Sequence, residues 1–304
     1  MLNLERLRVL HAIATYGSVR AASEVLAVTT SAVSQQIGKL EGELGQRLVE
    51  RNGRGVRLTD AALLLVKHAD RIMSLVAEAE ADVEAHRGAV VGQLSLAAIP
   101  TAARGLAPAA LRMLAQWHPQ LVVELVEMEP EAALPMVSRG DLDVAIAPDW
   151  INAPLAVPDG LVKSALHDDL ADIALAIDHP LARRKVIDLH ELAHESWISC
   201  RRGSICHEWL LLTLRAQGVE PRLAHTAEEF QTQLALVAAG LGVGVVPRLG
   251  RDPVPAGVRI VPVRPTLSRR IHAIWRADAA RRPAIRAIVK ALRAAVPGGG
   301  GKAK

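Results

Sequence analysis

The stretch SAVSQQIGKLEGELG, residues 31–45, sets Val33, Ile37, Leu40 and Leu44 at spacings of four, three and four. That rhythm aligns the four along one stripe of an α-helix, and a stripe of this kind faces a core. Ser31, Ser34, Gln35 and Lys39 lie elsewhere around the helix, facing water or a partner. Short hydroxyl and amide side chains solubilise poorly compared with Lys and Glu, but they suit hydrogen bonding to base edges and phosphates. The neighbouring sequence decides what this polar side serves.

Upstream, Leu4, Leu7, Leu10, Ile13 and Ala14 predict an amphipathic helix stopped by Gly17. Ser18 is placed to cap a short second helix running to about Leu26, with Ala21 and Ala22 allowing close packing. Thr29 or Thr30 caps the quoted helix, and Gly45 ends it. Three helices joined by short turns predict a helix-turn-helix core. Downstream, RLVERNGRGVRLT reads as two short strands around Asn52-Gly53, the strongest local hairpin signal. A hairpin behind such a core is a wing.

From Thr59 to about Arg87, Ala62, Leu65, Ala69, Ile72, Val76, Ala79 and Val83 alternate spacings of three and four. This is the seam of a coiled coil, and a narrow apolar stripe on a long polar helix predicts a symmetric dimer through residues 60–87. Residues 88–91 read as a hinge. Beyond them, apolar runs such as QLSLAAI, LVVELVE, LDVAIA and ADIALAI alternate with helical stretches such as APAALRMLAQWH and EEFQTQLALVAAG. The expected fold is α/β, with a largely parallel sheet covered by helices and room for two lobes that bind a ligand between them.

Charge does not by itself point to nucleic acid. The formal +4 of the 304-residue chain splits into +2 for residues 1–60, −2 for 61–91, −6 for 92–263 and +10 for 264–304. DNA contact by the N-terminal region must therefore rest on where its few charges sit. No apolar run reaches the ~18 residues of a membrane span, and MLNLERLRVLH carries charges where a signal peptide has its apolar core, so a cytoplasmic protein without a membrane partner is expected. The tail from Pro297 reads as a disordered end.

These residues carry a resemblance. GSVRAASEVLAVTTSAVSQQIGKLEGELGQRLVERNGRGVRLTDAA is similar to the winged helix-turn-helix signature of the LysR-type transcriptional regulators, and GQLSLAAIPT, WHPQLVVELVE, SRGDLDVAIAP, DHPLA and LALVAAGLGVGVVP resemble that family's effector domain in order and spacing. Val49 stands where Phe is usual and Ala62 where Gly is common; both are packing changes. The resemblance implies a DNA-binding domain at 1–59, a linker and dimerisation helix at 60–87, and a periplasmic-binding-protein-like effector domain at 92–296. Lobe I would take about 92–163 plus 265–296 and lobe II about 164–264.

It also implies roles. Thr30, Ser31, Ser34 and Gln35 would meet bases or phosphates of double-stranded DNA in the major groove, with Lys39, Arg51 and Arg54 on the backbone. Few phosphate contacts per chain favour dimers or homotetramers spanning several half-sites. An effector between the lobes would meet Thr101, Ser199, Arg201, Gln231 and Pro247, and Arg201 with Arg202 suits an organic anion.

Three features suggest other chemistry. HELAH, residues 190–194, matches the zinc-protease spacing but sits in IDLHELAHESWIS, too short a segment for a long active-site helix. GLGVGVV follows a helix rather than a strand, unlike a dinucleotide fingerprint. No catalytic residue set, metal site or cofactor is expected. Cys200 and Cys206 read by default as inert thiols near a strand end and a helix start; the alternative is a thiol-based redox sensor, with Arg201, Arg202 and His207 lowering a thiol pKa. A rival from another class is a cytoplasmic small-molecule-binding protein, since residues 92–295 alone resemble a two-lobed binder.

Overall fold

The computed structural model describes residues 2–52, 55–87 and 90–296. They fall into two compact units, divided between Val83 and Glu84. In the first, α1 (Leu4–Tyr16), α2 (Val19–Val25) and α3 (Thr30–Leu44) bury Leu10, Ile13, Ala22, Val33, Ile37 and Leu40 against one another. The removal of each large side chain from water contributes about 1.5–3 kcal/mol. Thr29 is the α3 cap, its hydroxyl accepting from Ala32 N at 3.2 Å, and Gly45 closes the helix at φ +66°, a left-handed conformation that favours glycine.

Leu44 departs from the expected stripe: it is 40% exposed. The core contact stops one turn earlier, because Gly45 directs the chain into the wing. There β1 (Val49–Asn52) pairs antiparallel with β2 (Gly55–Leu58), Asn52 opposite Gly55. The hairpin is fastened to α3 by Glu41, whose carboxylate accepts from Leu48 N at 2.7 Å and Val49 N at 3.1 Å.

Helix α4 (Asp60–Arg87) begins under the Thr59 hydroxyl, which accepts from Ala62 N at 3.2 Å. The expected seam is divided. Ala62 and Leu65 pack on the chain's own three-helix core, and His11 Nε2 meets Asp70 at 2.8 Å, while Val83 is exposed. The apolar surface left uncovered is also broader than the seam, since Leu63, Leu64 and Leu75 are exposed outside it.

The second unit is built on a nine-stranded sheet, in the order β4-β3-β5-β13-β6-β10-β8-β9 with β11 also on β6. The strands are β3 (Gly92–Ala98), β4 (Leu121–Glu127), β5 (Val144–Trp150), β6 (Leu161–Ala176), β8 (Ser196–Ser199), β9 (Arg222–Thr226), β10 (Val243–Pro247), β11 (Val258–Val261) and β13 (Leu267–Arg276). A separate two-stranded sheet joins β7 (Ile187–Asp188) to β12 (Val263–Arg264).

The main sheet is mixed, not largely parallel. Pairing is parallel within β4-β3-β5 and β10-β8-β9, but antiparallel at β5-β13-β6-β10 and β6-β11. The cause lies in the two longest strands, β6 and β13, which run from one lobe into the other and return. Helices α5 (Pro100–Gly105), α6 (Ala107–Trp117), α7 (Pro130–Arg139) and α10 (Pro283–Ala294) cover lobe I, and α8 (Ile205–Ala216) and α9 (Phe230–Ala238) cover lobe II. Trp150, at the end of β5, packs into the lobe II core rather than lobe I.

HELAH folds partly as a 3₁₀ turn, Leu189–Leu192, capped by Asp188. Among the described residues no group of three or more His, Cys, Asp and Glu is placed to hold a metal ion. None of the described helices is long and apolar enough to cross a membrane.

Candidate functional site

Two surfaces stand out, one in each unit. On the first, Thr30, Ser31, Ser34, Gln35 and Lys39 are all exposed on α3. Their polar atoms are not equally available. Ser34 Oγ donates to Thr30 O at 2.9 Å, and Ser31 Oγ lies 2.9 Å from Thr29 Oγ1. Gln36, one residue on, accepts from Arg6, whereas Gln35 and Lys39 make no side-chain hydrogen bond or ion pair among the described residues. An amide free at both ends can pair bidentately with adenine. The Arg51 side chain and all of Arg54 lie outside the described residues, as do Gly88, Ala89 and the tail from Pro297. Arg57, on the wing, pairs with Glu50 directly across the hairpin at 2.9 Å.

The second surface is a pocket of about 300 Å³, counted out to its mouth, in lobe II where the strands reach their carboxyl ends. Its wall is formed by Trp150, Ser199, Cys200, Cys206, Trp209 and Gln233, with Val245 and Pro247 of β10. Ser199 ends β8, which delivers Cys200 to the pocket, and Cys206 occupies the first turn of α8 beyond the Ser204 cap. The turn between them brings the two thiols to the same pocket wall, where each acts on the acidity of the other. Gln233 Nε2 donates to Cys200 Sγ at 3.3 Å and to Ala227 O at 2.8 Å, and is itself buried.

The pair is asymmetric. The hydrogen bond from Cys206, helped by Gln233 and the charge of Arg269, holds Cys200 below the usual thiol range against the effects of burial and Glu129. The same hydrogen bond and burial push Cys206 well above it. His207 stands behind them, its Nδ1 3.1 Å from Ser199 Oγ and 3.2 Å from Cys200 O.

Arg269, on β13, is the buried charge of this region. Its Nε donates to Asp169 at 2.9 Å and Nη2 to Thr101 Oγ1 at 2.8 Å, while Asp169 also accepts from Leu249 N at 3.0 Å. The guanidinium lies 5.5 Å from the Trp150 ring, which stacks on Trp209 at 3.7 Å. Nη1 is buried without a partner. Close by, Glu129 follows β4 as Thr101 follows the adjacent β3; burial, with Glu131 adding repulsion and Arg269 opposing, pushes its carboxyl up to about 7.

Of the residues expected to meet an effector, Ser199 and Pro247 line the pocket, and Thr101 adjoins it through Arg269. Arg201 turns to solvent and pairs with Glu228 at 2.7 Å. Gln231 donates to Arg251 O at 2.8 Å, and it is Gln233, two positions along α9, that reaches the pocket. Sequence reading also passed over Arg269, Glu129, Trp150 and Trp209. Arg269 did leave a signal: Leu267, Arg269 and Ile271 alternate on one face of a strand, so an arginine occupies an apolar position.

Residues 4–63 match the model of the bacterial regulatory helix-turn-helix protein, lysR family, and residues 87–297 match the LysR substrate binding domain. The chain is 30% identical to the HTH-type transcriptional regulator TtuA of Agrobacterium vitis, over 86% of each chain. It is 28% identical to the hydrogen peroxide-inducible genes activator of Escherichia coli O6:H1, over 98% of this chain and 97% of that one. A full-length OxyR variant from Pseudomonas aeruginosa superposes with a TM-score of 0.72 at 23% identity, covering 97% of this chain and 96% of that one, a likeness of fold. Helix-turn-helix, wing, long helix and two-lobed effector domain thus follow in one order along one chain, and the protein belongs to the LysR family of bacterial transcriptional regulators.

Proposed function

We propose that this regulator binds promoter DNA through residues 1–59, dimerises through the helix at 60–87 and assembles further to a tetramer. Residues 88–91 are the hinge, and the effector domain reads its input at the pocket of Cys200 and Cys206. Gln35 takes a base contact; Thr30, Ser31 and Ser34 fit the groove; Lys39, Arg51 and Arg54 hold the backbone. The exposed leucines of α4 support a partner helix there. Acting on DNA, it works in the cytoplasm, and it turns over no substrate as an enzyme.

The input is a small hydroperoxide. The observation that carries this reading is the thiol pair itself: two cysteines in the wall of one pocket, Cys200 accepting from the buried Gln233 at 3.3 Å, with their acidities displaced in opposite directions. The lower one is suited to attack a peroxide oxygen, and the higher one, still a thiol, to close a disulfide on the sulfenic acid that results. Similarity to a hydrogen peroxide-inducible genes activator supports the same choice. One equivalent of hydrogen peroxide added to the reduced full-length protein should consume both thiols and yield a Cys200–Cys206 crosslinked peptide by mass spectrometry. A Cys200 that reacts no faster than a free thiol would remove this input.

A second reading is favoured by Arg269. A buried Nη1 without a partner, beside Thr101, suits a small organic anion entering between the lobes. Thermal-shift screening of organic acids distinguishes the two, since a bound anion raises stability by mass action without consuming thiols.

A further inference from the structure

The wall that holds Cys200 and Cys206 is mostly hydrocarbon. Trp150 reaches it from the end of β5, Ile198 from β8, Trp209 and Leu210 from α8, Phe230 from the start of α9 and Val245 from β10, and all six are buried. The chain has only seven aromatic residues in 304, and three of them, its one phenylalanine included, stand here. Trp150 and Trp209 stack at 3.7 Å with their rings 20° apart, which makes that side of the wall a flat aromatic surface. Ile198 and Phe230 belong to one apolar cluster of lobe II, and Trp150, Trp209, Leu210 and Val245 to another. The pocket lies at the seam between them.

Polar groups of the wall are in large part engaged already. Ser199 Oγ lies 3.1 Å from His207 Nδ1, and Gln233 Nε2 donates to Cys200 Sγ and to Ala227 O. Among the described residues, the one fully buried side-chain nitrogen or oxygen of this wall without a partner is Trp150 Nε1. Hydrogen peroxide carries an O–H at each end, and on entering such a wall it gives up more hydrogen bonds to water than the free groups replace. An alkyl hydroperoxide has a single O–H end. Its carbon body gains by leaving water, roughly four-fold in binding for each carbon fully buried. At about 300 Å³ out to its mouth, the pocket suits a compact body of a few carbons rather than a long fatty chain.

Resting on the thiol-sensor reading above, we propose that the preferred substrate of this pocket is a short, compact alkyl hydroperoxide, its carbon body against Trp150, Trp209, Leu210, Phe230 and Val245 and its O–O end at Cys200. The Cys200 sulfur forms a bond to the terminal oxygen, and the O–O bond breaks with its electron pair passing to the oxygen that carries the alkyl group. That oxygen takes up the proton the thiol gave to water and leaves as the alcohol. Sulfur loses two electrons and the peroxide gains them. The Cys206 thiol then attacks the resulting sulfenic acid, forming the disulfide and releasing water. Hydrogen peroxide undergoes the same steps more slowly, because nothing of it is held by the apolar wall.

The test is the second-order rate of Cys200 oxidation in reduced full-length protein by hydrogen peroxide, ethyl hydroperoxide and tert-butyl hydroperoxide. Each rate is divided by that of glutathione with the same reagent, which removes the intrinsic reactivity of the peroxide. The normalised rate should rise along the series, by about 10-fold from hydrogen peroxide to tert-butyl hydroperoxide. Val245→Phe sets a ring into the space meant for the carbon body and should bring that ratio down to about one. The wild-type series decides without any variant: a normalised rate that stays level or falls overturns the proposal. A folded Val245→Phe protein that keeps the wild-type ratio overturns it as well. If Cys200 reacts with all three reagents no faster than glutathione does, the sensor reading itself fails and the substrate class goes with it.

Discussion

The face of α3 and the pocket of the effector domain solve opposite problems. The α3 face is a single short segment whose working side chains are exposed, and each needs only a helix beneath it. The pocket is assembled from residues far apart in sequence, from Trp150 to Pro247, and beside it Thr101, Asp169 and Arg269 form one hydrogen-bonded chain. Its charges are buried, so each partner is needed to keep another satisfied. The contrast teaches where mutations should act. Changes on α3 should alter recognition and spare the fold, whereas changes in the pocket should affect fold and function together.

The largest expected effect is in the pocket. Arg269→Ala leaves Asp169 buried and uncompensated, at a cost of about 3–5 kcal/mol in denaturant unfolding of the full-length protein. A loss within about 0.5 kcal/mol would mean that the pair is not an anchor and would erase the contrast. Next comes the core beneath the reading face. Leu40→Ala removes a fully buried side chain and should cost about 2–5 kcal/mol, with the first unit losing helix before the second.

On the face itself, Gln35→Ala should cost about 1–3 kcal/mol of discrimination at one base position and leave the melting temperature unchanged. Lys39→Ala should weaken binding to all sequences alike and lower the salt slope of a gel-shift titration by about one. If these two results were exchanged, the orientation assigned to α3 would be wrong.

The smallest expected effect is a pH dependence. The Glu129 carboxyl sits at about 7 in the folded protein, above its ordinary value of 4.5. Folding therefore favours its protonated form, and stability should decline as pH rises between those two values. Glu129→Gln should remove that decline, gaining on wild type at pH above about 7 and not at pH below about 4. Parallel stability curves for the two proteins would contradict the buried-carboxyl assignment.

The same contrast explains what was legible in the sequence. The helix-turn-helix, the wing and the long helix are local, and their caps, turns and spacings each depend on nearby residues: Thr29 before α3, Gly45 after it, and a hairpin with Asn52 opposite Gly55. Leu44 was misread and the outlying leucines of α4 were passed over, because helical periodicity says nothing about where a partner surface ends. The mixed sheet was missed for a related reason. Apolar runs reveal strands but not their direction, and only the length of β6 suggests a strand shared by two lobes.

In the pocket, Ser199 and Pro247 were found by position along a resembling chain, while Gln231 was chosen two residues from Gln233. A choice between two glutamines on one helix depends on the rotation of α9 against β8, which no local pattern encodes. Arg201 was chosen for its charge, but that charge is exposed and paired, and the arginine buried against Trp150 of the pocket wall is Arg269 on β13. That Cys200 and Cys206 share one pocket wall was not legible, because sequence spacing does not say whether a turn will bring two thiols together.

One measurement bears most directly on the account: a footprint of the reduced protein on the promoter beside its own gene, repeated after one equivalent of hydrogen peroxide and again after reduction with dithiothreitol. The expected result is a protected site whose extent changes on oxidation, returns on reduction, and stays fixed in Cys200→Ser. A footprint indifferent to peroxide in wild type, or one that shifts equally in Cys200→Ser, would contradict it.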